Sequence, residues 1–440
     1  VSSPSPISAS ARQRRLEDGT HFIELSALPT RIRIGETDLE ALTYDGTLPG
    51  PVITLNEGEA VRLAFHNALH APTNLHLHGL QIPPQADDPH RVVAPGQTVT
   101  HAFELLPESA GTYWYHPHAH GRVTRQQWSG LAGALIVRGA PDRLPELAAA
   151  SEHVLVLQDL SVEQGLPAPH APMEWMSGKE GQHLLVNGQI HPVLEAATGL
   201  VRLRLINASV ARYYHLAVPG HPLHLIGQDG SFLEAPQPVN TLLLSPGERA
   251  DLLLQVPAAA RLELHDLPYA RSAHATPRAA ATPLATLEVR GPQRPAHLPA
   301  RLRPLRRLAD ADARPDRVVV FGASMDPPRF LVNGQSYDRH RIDLEVRQGS
   351  TEVWELRNPT RMDHPFHLHV FPFQVLTRNG VPEPFLAWRD VINLRAGETV
   401  RIALDFSRFS GDVMLHCHIA EHEDRGMMAN VRVRPPEVTL

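Results

Sequence analysis

The chain has 440 residues, a formal charge of −6 and a pI near 6.5, so it carries no basic footprint for nucleic acid and no nucleic-acid partner is expected. No apolar run approaches the length of a membrane span, and the length exceeds what one hydrophobic core fills, which leaves a globular chain of roughly two to four domains. Its 41 prolines and 29 glycines punctuate short β-branched runs without a long amphipathic helical repeat, a pattern that favours all-β domains over helical bundles or βαβ units.

Residues 1 to about 20 read as a flexible arm. Their opening, Val1-Ser2-Ser3-Pro4-Ser5-Pro6, has neither a charged nor an apolar signal segment, so any export signal is expected to have been removed. Three segments then repeat the same order of landmarks. A turn signal comes first, at Asp45-Gly46, Asn187-Gly188 and Asn333-Gly334. An alternating strand ending near asparagine follows, at Val61 to Asn67, Val201 to Asn207 and Glu352 to Asn358. A glycine turn closes the set, at Pro95-Gly96-Gln97, Pro246-Gly247-Glu248 and Ala396-Gly397-Glu398. The period is about 150 residues, an ordinary domain length. Pro- and Ala-bearing connections around Gly139 to Ser151 and Gly291 to Asp316 predict domains over residues 1–140, 150–292 and 315–440. Turns every 8 to 12 residues or so suit a Greek-key sandwich or barrel for each. The second connection is expected to run over the surface.

Chemistry concentrates in four histidine clusters: His76-Leu77-His78-Gly79, His116-Pro117-His118, His364-Pro365-Phe366-His367-Leu368-His369, and His416-Cys417-His418 with His422 and Met427 downstream. In each His-x-His pair the two imidazoles share one face of a strand and can grip metal from one wall. The pairs at 76/78, 116/118, 367/369 and 416/418 supply eight imidazoles, four from the first repeat and four from the third, which suits a cluster held between two domains. Cys417 is the only cysteine, so it forms no internal disulfide. Two imidazoles, a thiolate and a weak thioether make the ligand set of a blue-copper electron-transfer centre. On a strand, Cys417 then faces one metal site while His416 and His418 face another.

Comparing the repeats locates the thiolate centre. When the 367/369 pair is laid on the 76/78 pair, His364 falls on Thr73, and laying the cysteine cluster on His116-Pro117-His118 puts Cys417 on Pro117. In the second repeat, His221-Pro222-Leu223-His224-Leu225-Ile226 imitates the 364 cluster with isoleucine in place of the last histidine. Leu264-His265-Asp266-Leu267 stands where the cysteine cluster would be. The second repeat is expected to hold no copper and to serve as a spacer and pocket wall.

These four motifs, in this order, resemble the three-domain bacterial multicopper oxidases, laccase-like and related to copper-efflux oxidases, and the repeat extends the resemblance over nearly the whole chain. It implies three consecutive cupredoxin-like Greek-key barrels and four copper ions. His364, Cys417, His422 and Met427 would bind the type 1 ion. His76 and His367 would bind the type 2 ion. His78, His116, His118, His369, His416 and His418 would bind the type 3 pair. Met427 is taken over the adjacent Met428 on its spacing after Cys417, and His120 is expected to stay unligated. Asp87 and Glu423 occupy positions where similar oxidases place acids that deliver protons, with neighbouring Asp88 and Asp424 in lesser roles.

The implied activity is one-electron oxidation of small phenols or aromatic amines at the type 1 site, where the edge of His422 or His364 meets solvent, coupled to reduction of dioxygen to water. Only seven methionines exist, and Met362 is the one flanking the third cluster, so a laccase-like substrate range is expected ahead of a cuprous or manganese metallo-oxidase. A copper-free structural or assembly protein on the same fold is the third reading. The expected setting is periplasmic or secreted, and the expected state a monomer.

Overall fold

The computed structural model describes residues 11–272, 280–325 and 328–436. Of the expected flexible arm, residues 1–10 lie outside the described ones, and the next segment departs from the expectation: Arg12–Arg15 is a strand, paired antiparallel with the start of His21–Ile34. Backbone hydrogen bonding to that neighbour orders a segment whose polar sequence carries no apolar alternation.

The strands form three successive double-sheet barrels. The first joins a five-stranded sheet to a four-stranded one, the second a six- to a five-stranded, and the third a seven- to a five-stranded. In each barrel the asparagine-ended strand lies parallel to an earlier one. Ala60–Asn67 pairs with His21–Ile34, Gly199–Asn207 with Ser151–Leu160, and Thr351–Arg357 with Arg317–Met325. Alternation explains the strand Ala60–Asn67, whose Val61, Leu63 and Phe65 enter the core while Arg62 faces out.

The asparagines play the same part in each barrel. Asn67 Nδ2 donates to the carbonyls of Ala71 and Val93, and its Oδ1 accepts from Leu69 N. Asn207 does the same with Arg212, Leu244 and Ser209, and Asn358 with Met362, Leu394 and Thr360. A primary amide is the side chain that supplies both donors and the acceptor. The turn signals match equally: Asp45, Asn187 and Asn333 all adopt positive φ, and each side-chain oxygen accepts a backbone N–H from an earlier strand.

Sheet order corrects one comparison between the repeats. The strand His364–Leu368 sits between Val391–Leu394 and Gly411–Cys417, and its counterpart in the second barrel is Tyr214–Ala217, between Leu242–Leu244 and Ala260–Leu267. The His221 to Ile226 segment instead enters the strand Leu223–Gln228 of the opposite sheet. A histidine pattern alone carries no information about which sheet a strand joins. The Leu264 to Leu267 segment does occupy the position of the cysteine strand.

The barrels close on each other through shared apolar clusters as well as polar and glycine contacts. The helix Val123–Trp128 of the first barrel has the amides of Val123 and Thr124 bonded to the Asp424 carboxylate of the third. Gly247, at φ +86°, brings the second barrel against His418, whose ring would lie 2.7 Å from an added Cβ. Residues 291–316 form no helix or strand, as expected of a surface connection, yet Ala296 and Leu302 pack into the second core.

Candidate metal centre

The strand Gly411–Cys417 organises the site. It pairs antiparallel with His364–Leu368 so that His416 stands opposite His367 and Cys417 opposite Phe366. The strand period sends Cys417 into the core of the third barrel and its neighbours the other way. Cys417 Sγ lies 3.5 Å from His364 Nδ1 and 3.6 Å from His422 Nδ1, and those two nitrogens are 3.2 Å apart. The short helix Ala420–Asp424 returns His422 to the cysteine, and Met427, buried in the same core, bonds through its backbone to both Cys417 and His422. Met428 begins the next strand, opposite His416.

The eight paired imidazoles meet between the first and third barrels, and their facing nitrogens fall into groups. His416 Nε2 is 3.1 Å from His118 Nε2 and 3.2 Å from His369 Nε2. His78 Nδ1 is 3.4 Å from His116 Nε2 and 3.3 Å from His418 Nε2. His76 and His367 remain, each with a buried Nε2 that has no hydrogen-bond partner. The two histidines flanking Cys417 therefore serve two different groups.

Acceptors on the far side fix which nitrogen is free, because a carboxylate or carbonyl only accepts and the ring nitrogen facing it must carry the proton. His76 Nδ1–H donates to Asp87 Oδ2 at 2.7 Å, His116 to the Pro117 carbonyl and His416 to the Cys417 carbonyl. Asp390 holds two more, with its Oδ1 2.9 Å from His78 Nε2 and its carbonyl 2.8 Å from His367 Nδ1. Burial, reinforced by neighbouring rings, pushes the pKa of His78, His116, His118, His367, His369 and His418 well below the usual value, so they stay neutral with lone pairs available. His364 and His416 are held at about 3, mainly by burial.

Neutral imidazoles with orphaned, converging nitrogens cost free energy when nothing binds them, and they fit transition-metal ions. Compact ligating groups within reach of one ion include His118, His369 and His416, His76, His78 and His116, and His364, Cys417 and His422. The donor chemistry divides them. The thiol site suits a redox-cycling copper and the all-imidazole site suits ions that bind oxygen species.

The expected acids lie at the site. Asp87 bonds His76, and Glu423 lies between His118 Nε2 at 3.4 Å and His416 Nδ1 at 3.3 Å. Burial, with the charge of Asp424 second, drives the Glu423 carboxyl well above the usual range. Asp424 caps a helix of the first barrel, and His120 is exposed and outside the ligating groups.

Three features were not legible in the sequence. Asp390 and Arg249 are joined by a bidentate pair next to the cluster, with no motif announcing either. The solvent edge expected for His422 or His364 is closed, since both rings are fully buried. The Met176 carbonyl accepts from His422 Nε2 at 3.1 Å, and Thr360 Oγ1 bonds His364 Nε2 at 3.0 Å. Met176 thus joins Met362 in flanking the thiol site, and sequence distance hid it.

Fold and site together define an all-β protein of three cupredoxin-like barrels, with a buried thiol site adjoining a buried imidazole cluster. Multicopper oxidase family models match residues 29–142, 159–286 and 310–437. The chain belongs to the multicopper oxidase family. It is similar to a multicopper oxidase from Campylobacter jejuni described as a metallo-oxidase, with 31% identity and TM-score 0.88 over 98% of this chain and 94% of that one. A laccase-like multicopper oxidase from Ochrobactrum, described as active towards lignin model compounds, gives 28% identity and TM-score 0.85, covering 98% of this chain and 100% of that one. Among curated relatives, the cell division protein FtsP of Shigella dysenteriae is 31% identical over 79% of this chain and 75% of its own. Among the described residues no helix is long and apolar enough to cross a membrane.

Proposed function

We propose that the chain is a laccase-like oxidase that couples one-electron oxidation of phenols and aromatic amines to four-electron reduction of dioxygen to two waters, in a periplasmic or secreted setting. One observation carries the reading: three consecutive residues, His416 and Cys417 at the end of one strand and His418 just past it, reach the thiol group and both three-imidazole groups. His364, Cys417, His422 and Met427 would hold one copper ion. His76 with His367, His78 with His116 and His418, and His118 with His369 and His416 would hold three more. Bound copper supplies one-electron redox cycling at the thiolate and dioxygen reduction at the imidazole cluster.

The protein's part is positioning and proton supply. The backbone from Cys417 to His416 and His418 is the shortest covalent route between the two centres. Asp87 orients His76, and the buried, protonated Glu423 stores a proton beside His118 and His416. Burial of every ligand keeps bulk water from the cluster.

A metal-ion reductant is the second reading, favoured by Met176, whose carbonyl caps His422 and whose segment leaves Met173 73% exposed. Thioethers are soft ligands that select Cu(I). The test is one preparation of copper-loaded protein. Four coppers per chain, a blue absorption band and faster turnover of a phenol than of Cu(I) or Mn(II) support the first reading. Faster Cu(I) turnover supports the second, and absence of bound copper overturns both.

A further inference from the structure

The second barrel contributes none of the eight paired imidazoles, yet its Arg249 side chain holds a residue that bonds two of them. The amides of Asn67, Asn207 and Asn358 bond the carbonyls of Gln97, Glu248 and Glu398, which makes these three residues equivalent in the three barrels. The next residue is Thr98 in the first barrel, Thr399 in the third and Arg249 in the second. Only the second barrel replaces a threonine there with a long cation.

That cation is wholly buried and touches all three barrels. Arg249 Nη1 and Nη2 lie 2.6 Å from the two carboxylate oxygens of Asp390, its Nε donates to the Thr112 carbonyl and Nη1 also reaches the Gly247 carbonyl. Asp229 Oδ1 accepts the Arg249 amide while Oδ2 accepts those of Asp390 and Val391. The Asp390 carboxylate is thereby fixed in place and orientation from the second barrel.

The consequence falls on His78. The other seven imidazoles offer Nε2 to the cluster, whereas His78 offers Nδ1, because its Nε2–H is committed to Asp390 Oδ1. The Asp390 carbonyl also commits His367 Nδ1–H and frees His367 Nε2.

We propose that Arg249 is a positioning residue of the trinuclear site: by clamping Asp390 it obliges His78 to present Nδ1 and His367 to present Nε2. The inference rests on His78 and His367 being copper ligands. Removing the clamp frees the His78 ring to turn and loosens two ligands of different ions together.

The experiment compares copper-loaded full-length protein with Arg249→Met and Arg249→Lys, reading copper retained against a chelator, the blue band and the near-ultraviolet shoulder of paired copper. Outer partners of metal ligands typically contribute roughly 10- to 100-fold in metal affinity. Arg249→Met is expected to keep the blue band, which reports an intact third barrel, while cluster copper is released at least about tenfold more readily. Arg249→Lys, which keeps the charge without the fork, is expected to fall between. Unchanged retention in Arg249→Met, or equal loss of blue band and shoulder, overturns the proposal. If the methionine variant does not fold, unchanged retention in Arg249→Lys does so. Failure of the unsubstituted protein to bind cluster copper would instead overturn the proposed function.

Discussion

The His422 ring of the third barrel donates its Nε2–H to the Met176 carbonyl of the second, 3.1 Å away. Around this bond the segment carrying Met176 is tied down: the Lys179 amide and His170 Nε2 both reach Glu421 Oε1, and Lys179 Nζ pairs with Glu174. Under the proposed function, electrons reaching the thiol site would cross this strap, and its side chains would bear on which reductant is used. Met176→Leu is expected to lower Cu(I) turnover about fivefold, corresponding to about 1 kcal/mol, and to leave phenol turnover nearly unchanged. Equal effects on both reductants would show that Met176 does not select.

Cys417→Ser tests the junction. The substitution removes the thiolate without changing the strand, so the blue colour and dioxygen-linked turnover are expected to vanish while the unfolding midpoint stays near that of the parent. Retained oxidase activity would remove Cys417 from the electron route.

Gly247→Ala forces a Cβ to within 2.7 Å of the His418 ring at a backbone angle that alanine resists. A destabilisation of about 1–3 kcal/mol is expected, with the near-ultraviolet shoulder reduced more than the blue band. Thermal unfolding and absorption spectra on one sample check both parts.

Asp87→Asn keeps the shape of the group on His76 but removes its charge and basicity. Reoxidation by dioxygen is expected to slow, by about 100-fold for a lost proton-transfer group, with the blue band intact. Identical turnover at every pH would exclude a proton-delivery role.

Acid is expected to weaken the seam between the first and second barrels. Burial opposes ionisation of Glu152, but Arg204, Arg138 and Arg202 overcome it and bring its pKa from the usual 4.5 to about 2. A carboxylate depressed in the folded state stabilises fully above the unfolded pKa and loses that contribution as pH falls through the folded one. About 3 kcal/mol should therefore disappear between roughly pH 4.5 and 2. Glu152→Gln should lower stability at neutral pH and flatten its dependence over that window, as followed by denaturant titration.

Much of this was legible beforehand because it is local. The turn signals and strand-ending asparagines repeat in sequence since each satisfies backbone groups within its own barrel, and the His-x-His spacing follows from strand pleat alone. The His221 segment shows the limit: its pattern resembled the 364 cluster, yet hydrogen bonding assigned it to the other sheet.

The sequence by itself determined an all-β chain of three related units, two histidine-rich ones flanking a third, with one thiol centre near the C-terminus. The candidate ligands lie in short motifs, and short motifs survive being read along a line. Only the tertiary structure decided which nitrogens face inward, that Asp390 and Arg249 set His78, and that Met176 covers His422. Those relationships join residues 141 to 312 positions apart, and only folding brings such groups within hydrogen-bonding distance.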